Sequence, residues 1–137
     1  MEEIHILDRF VDDREFRNYI HTILIKNGFT DAKIDDERIA DGDFVNDNDI
    51  LARSDGTRYT IHTYLNIEVG VREVLSVIQD REYEKVDGAI IFTNRFFTDD
   101  AIFLAKREKV ELWDRDQLKR MISVSEKYDE KNLSHFV

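Results

Sequence analysis

Between Asp12 and Lys26 the apolar side chains Phe16, Tyr19, Ile20, Ile23 and Leu24 recur every three or four positions. This is the stripe of an amphipathic helix, and Asn27-Gly28 supplies its stop. Phe29 to Ile34, with the patch around Ile39, reads as a short edge strand, whereas Asp41 to Asp49, with Gly42 and two asparagines, reads as a loop. The pattern then changes period. Asp49 to Arg53 and Arg58 to Thr63 flank Ser54-Asp55-Gly56, and in the second segment Tyr59 and Ile61 alternate with polar residues. That is a β-hairpin with Asp49 and His62 near its open end, because glycine accepts the positive φ that a tight turn demands.

Helical spacing returns with Val71, Val74, Leu75 and Ile78, followed by the β-branched run Val86 to Asn94, which has the length of a strand buried on both faces. Thr98-Asp99-Asp100 reads as the cap of a further helix, with Ala101, Ile102, Leu104 and Ala105 as its stripe. Val110 to Asp114 is another short strand, Trp113 being most simply core at its end. Asp114 opens a last helix with Leu118, Met121 and Ile122 inward. The order α-β-β-β-α-β-α-β-α predicts an α/β (α+β) fold, a mixed sheet flanked by helices on both sides. The charged segment from Glu126 to Val137, with Leu133, Phe136 and Val137, either frays or docks on a partner.

Composition narrows the function classes. A chain of 137 residues with 42% hydrophobic side chains can bury one ordinary core, so residues 1–137 are read as a single domain. Cysteine is absent, which excludes disulfides and thiolate metal sites. No apolar run approaches the roughly 20 residues of a membrane span, so the expectation is a soluble, cytoplasmic protein with no membrane partner. Thirty acidic against twenty basic side chains give a formal net charge of -10. Such a surface repels a polyanion over most of its area, so any contact with DNA has to be local.

The order of elements, the aspartate-hairpin-strand spacing, Gly28-Phe29, the run "IIFTN" and Phe97-Thr98-Asp99-Asp100-Ala101 resemble the Mrr-type restriction-endonuclease-like domain of the PD-(D/E)xK nuclease superfamily. The resemblance runs from about Asp12 to Ile122, and it lies in order and spacing rather than in one motif. It implies a metal-dependent endonuclease, in which oxygen ligands hold Mg²⁺ or Mn²⁺ and a lysine stands beside the attacking water. Carried over by position, Asp49 falls on the metal-binding aspartate and His62 on the family's Gln or Glu. Thr63 falls on the residue whose backbone carbonyl can bind metal, and Tyr64 on the lysine. Where many relatives have a glutamate after the phenylalanine of the first helix, Phe16 is followed here by Arg17.

The motif is therefore degenerate. A phenol is neutral near pH 7, with a reference pKa of about 10, so Tyr64 brings no positive charge to a phosphate. Histidine suits a transition metal better than Mg²⁺. The resemblance then implies a DNA-associated domain impaired in catalysis and acting in recognition or assembly, with Mg²⁺ or Mn²⁺ expected if activity remains and no cofactor as the alternative. Two alternatives stand beside it: an active endodeoxyribonuclease in which Asp49 and His62 recruit Arg58 or Arg95, and a non-catalytic protein-interaction module. Plainer readings also exist, with Asp49 ending the acidic loop and His62 and Tyr64 forming a polar pair on one strand face. Asp41, Asp43, Asp47 and Asp49 do not make a calcium loop, since Gly42 is out of order for an EF-hand. The best local basic patch for DNA is Arg95 with Lys106 and Arg107, although cations at a helix end also balance its dipole. His5, His21 and His135 have no metal or catalytic spacing. A protein partner or a homodimer is as compatible with the acidic balance as DNA is.

Overall fold

The computed structural model describes residues 5–34 and 49–134, with side chains as far as residue 124. The loop reading of Asp41, Asp43 and Asp47 and the patch at Ile39 lie outside the described residues. After a single 3-10 turn at Ile6–Asp8 come α1 (Asp13–Lys26), β1 (Thr30–Ile34), β2 (Asp49–Ser54), β3 (Thr57–Tyr64), α2 (Val71–Glu84), β4 (Gly88–Thr93), α3 (Asp99–Glu108), β5 (Val110–Trp113) and α4 (Arg115–Ser134). Strand order follows the chain, β1-β2-β3-β4-β5. The first three strands pair antiparallel and the last three parallel, so β3 is where the sheet changes character. Among the described residues no helix is long and apolar enough to cross a membrane.

Local chemistry explains the boundaries. Asp12 caps α1 by accepting from the Glu15 N–H at 2.9 Å, and Thr98 caps α3 by accepting from Ala101 N–H at 3.1 Å. At α4 the cap is reciprocal: Asp114 Oδ1 accepts from Gln117 N–H and Gln117 Oε1 from Asp114 N–H, both at 3.0 Å. The β2–β3 turn is Asp55-Gly56, with φ of 51° and 81°, the pair of positive values that a two-residue hairpin turn requires. Gly88 is needed for a different reason, because a Cβ there would lie 2.4 Å from the Tyr59 ring in the neighbouring strand.

Two apolar layers sandwich the sheet. One unites Phe16, Ile20, Ile23 and Leu24 of α1 and Leu118 and Ile122 of α4 with Ile50, Ile61, Ile90 and Phe92. The other unites Val74 and Val77 of α2 and Ala101 and Ala105 of α3 with Ala89, Ile91 and Val110. Ile90 and Ile91 face opposite layers, which is why β4 is apolar without alternation from Ala89 to Phe92. The helix rotations differ from the sequence reading in detail. Val77 is fully buried on α2, whereas Leu75 is 45% exposed, and on α3 Ile102 is 48% exposed. Where several apolar residues share a helix, the sequence period leaves a turn of roughly 100° per residue to be chosen by packing.

Candidate functional site

The register of the hairpin brings the first two site residues together. Counting back from the Ser54↔Thr57 pair beside the turn, Asp49 stands directly opposite His62. Alternation along the strands then puts Asp49, His62 and Tyr64 on the α2/α3 face of the sheet. Both Asp49 and His62 are buried, at 3% and 0% exposure. His62 Nε2 lies 3.0 Å from Asp49 Oδ1. On its other ring nitrogen, Nδ1 meets the Tyr64 hydroxyl in a long 3.4 Å hydrogen bond.

A third acidic residue completes the cluster. Asp80, on the last turns of α2, approaches His62 Nε2 with Oδ2 at 2.8 Å and is 21% exposed. The ligand-type atoms of Asp49, His62 and Asp80 all lie within 4.8 Å of one another. Sequence reasoning passed over Asp80, yet a signal exists. Val74 and Val77 are the buried residues of α2, and Asp80 comes three positions after Val77, so a carboxylate continues the inward stripe. Two carboxylate oxygens and one imidazole nitrogen are a donor set that fits a divalent cation, the class of cofactor that the family resemblance implies.

The remaining predicted residues are distributed more widely. Thr63 is buried in register with Phe92, its side chain on the face opposite to His62. Arg58 sits beside the hairpin turn, where its guanidinium donates to the Lys85 carbonyl at 2.7 Å. It is four residues from His62, about 13 Å along the strand. Lys106 and Arg107 occupy the last turn of α3, where they complement the helix dipole, and Arg107 also meets Glu108 at 3.3 Å. Arg95 follows β4, with its guanidinium 3.7 Å from Asp8. Arg17, which follows Phe16 in α1, is 3% exposed.

A polar tie next to the site holds three segments together. Asn94, fully buried after β4, donates to Leu7 O at 2.8 Å and to Asn66 Oδ1 at 2.9 Å, and accepts from Asn66 N–H at 2.7 Å. Beside it Arg115 grips both Asp8 oxygens, at 2.9 and 2.7 Å, and donates to Asn94 O at 3.2 Å. The Arg115 hydrogen bonds, with the added charge of Arg115 and Arg95, hold the Asp8 carboxyl below its usual 3.8, against a smaller opposing effect of burial. The network joins the segments that follow β3 and β4 to the turn before α1 and to the start of α4.

Comparison with known proteins adds family and fold. No curated protein matches the chain. Among solved structures, the crystal structure of a protein of unknown function, AF1548, superposes with a TM-score of 0.61 at 24% identity, covering 75% of this chain and 58% of that one. At that identity the likeness concerns the fold, and this chain spans little more than half of that protein. A family model described as restriction endonuclease, of the Mrr catalytic-domain type, matches residues 9–122, from before α1 to the buried Ile122 of α4. The match takes in the whole sheet and the Asp49, His62 and Asp80 cluster, and the chain belongs to this Mrr-type restriction endonuclease family.

Proposed function

We propose that this chain is a DNA-associated restriction-endonuclease-like domain whose hydrolytic chemistry is impaired and which serves in recognition or assembly. The observation that carries this reading is Tyr64. At the position of the family's lysine it places a neutral phenol turned toward His62 Nδ1 at 3.4 Å. The cations considered as substitutes are engaged elsewhere, Arg58 with Lys85 and Arg95 beside Asp8. A neutral phenol in place of the family's lysine withdraws the positive charge at that position, and phosphodiester hydrolysis loses electrostatic stabilisation with it. A net charge of -10 supports a partner reached through local contacts, whether a short stretch of DNA, another protein or a second copy of the chain.

A second reading has its own observation. Asp80 supplies from α2 a carboxylate that compensates for the acidic residue missing at position 62, which favours a rebuilt, metal-dependent endodeoxyribonuclease. Nicking of supercoiled plasmid with Mg²⁺ or Mn²⁺ separates the two. The native protein is expected to leave the plasmid intact while the His62→Gln, Tyr64→Lys double variant cuts it. Cutting by the native protein that disappears in Asp49→Ala would overturn impairment in favour of the rebuilt site. If neither protein cuts and neither shifts a DNA duplex in a gel at low salt, association with DNA is abandoned for a protein partner.

A further inference from the structure

His62 poses a problem of charge. An imidazole Nε2 has one in-plane position, filled by a proton or by a lone pair, and a single N–H shared between two oxygens makes two bent, weaker bonds. Here two carboxylates converge on that one atom, Asp49 at 3.0 Å and Asp80 at 2.8 Å, while the ring itself is 0% exposed. Two negative groups closing on a neutral imidazole's lone pair would repel it, so the position calls for a cation. A proton on Nε2 is shared poorly between two oxygens, whereas a divalent ion would be held by both carboxylates and would accept the nitrogen lone pair as well.

The other side of the ring favours the ion. Nδ1 faces the Tyr64 hydroxyl at 3.4 Å, and when Nδ1 carries the proton and donates it to that oxygen, Nε2 presents its lone pair to Asp49 and Asp80. Metal-binding histidines are commonly oriented in this way by a partner on the second nitrogen. Tyr64 thus has a use that a lysine could not serve, because an ammonium has no lone pair with which to accept.

We propose that Asp49, His62 and Asp80 form a site for a borderline d-block divalent cation, of which Zn²⁺ is the type, and that the site discriminates against Mg²⁺. The donor set supports this choice. Zn²⁺ takes one imidazole nitrogen and two carboxylate oxygens readily and leaves a fourth position free, whereas Mg²⁺ demands near-octahedral oxygen and sheds its water reluctantly. Asp80, 21% exposed, is the ligand through which the buried pair reaches solvent. The site does not depend on whether the chain cleaves DNA, so it holds under either reading of function. Tyr64 acts here as a positioning residue.

The test is direct metal binding by the full chain after treatment with chelator, read by thermal unfolding and by titration calorimetry with Zn²⁺ and separately with Mg²⁺. Zn²⁺ is expected to raise the melting temperature and Mg²⁺ at the same concentration to leave it unchanged. Asp80→Asn, at a partly exposed helix position, should abolish the Zn²⁺ response while keeping the native circular dichroism spectrum. Tyr64→Phe should weaken Zn²⁺ by roughly 10-fold or more, with the metal-free melting temperature kept. Equal stabilisation by Mg²⁺, no response to Zn²⁺, or an undiminished response in folded Asp80→Asn would overturn the site. If Asp80→Asn does not fold, nitrogen NMR of His62 in the native chain decides. A Zn²⁺-induced shift confined to Nε2 supports the site, and its absence removes it, leaving any Zn²⁺ binding to His5, His21 or His135.

Discussion

On one face of β3 stands Ile61, set between Ile50 and Ile90 across the ladders; on the other, one residue along, His62 stands between Asp49 and Asp80. Both residues are 0% exposed, so burial alone does not distinguish them. Their neighbours do. The Ile61 layer is held by removal of apolar surface from water, which is non-directional and lets α1 and α4 settle wherever their stripes fit. The layer around His62 is apolar too, with Val74, Val77 and Ile91 at its centre, but at its edge two carboxylates meet one ring nitrogen, a contact that depends on direction as well as on burial. A sheet of one fold thus carries a tolerant face and an exacting one.

The largest expected effect breaks the tolerant face. Phe92, 1% exposed and stacked on Trp113 at 5.8 Å between ring centres, belongs to the same layer as Ile61. Phe92→Ala should cost about 3–5 kcal/mol in denaturant unfolding, the usual loss for a large core aromatic. A loss well below that would mean that the layer collapses around the gap.

His62→Ala sharpens the comparison, because less volume is removed but two carboxylates are left facing each other. The expected cost is about 3 kcal/mol, from the loss of a fully buried side chain together with its contacts to Asp49 and Asp80. Combining His62→Gln with Asp49→Asn should recover most of that stability, since the amide at 62 refills the site and a neutral amide at 49 no longer repels Asp80. If the double variant is no better than His62→Ala, packing rather than charge holds this face.

The smallest effect concerns the Asp8 and Arg115 clasp outside both faces. Asp8 is 32% exposed, so Asp8→Asn should cost only about 0.5–1 kcal/mol even with a two-pronged partner. The pH dependence has a definite sign. A carboxyl held below its usual 3.8 contributes stability above that value and loses it as the pH falls through its lowered folded value. In acid titrations from pH 5 down to about 2, native protein and Asp8→Asn should therefore converge in stability, and parallel curves would show that the clasp contributes nothing.

Much of the tolerant face was legible beforehand. The α1 stripe, the apolar β4 run and the Asp114 cap depend on spacings of a few residues, and the structure has them where the sequence puts them. The Asp49 and His62 pair was legible too, since a two-residue turn fixes every pair across the hairpin. The rotation of α2 was not. Val71, Leu75 and Ile78 compete with Val77 for the inward side, and only docking on β3 made Val77 the buried choice. Asp80 was hidden for the same reason, because a carboxylate on an amphipathic helix ordinarily belongs to its solvated side.

What the sequence determined by itself is the order of elements and the hairpin register that sets Asp49 opposite His62. What only the tertiary structure decided are the contacts between residues far apart in the chain: Asp80 at His62, Asn94 under Leu7 and Arg115 on Asp8. The reason is physical. Backbone propensity, capping and turn geometry act within a few residues, while the meeting of two distant side chains depends on the angle and rotation at which whole elements pack.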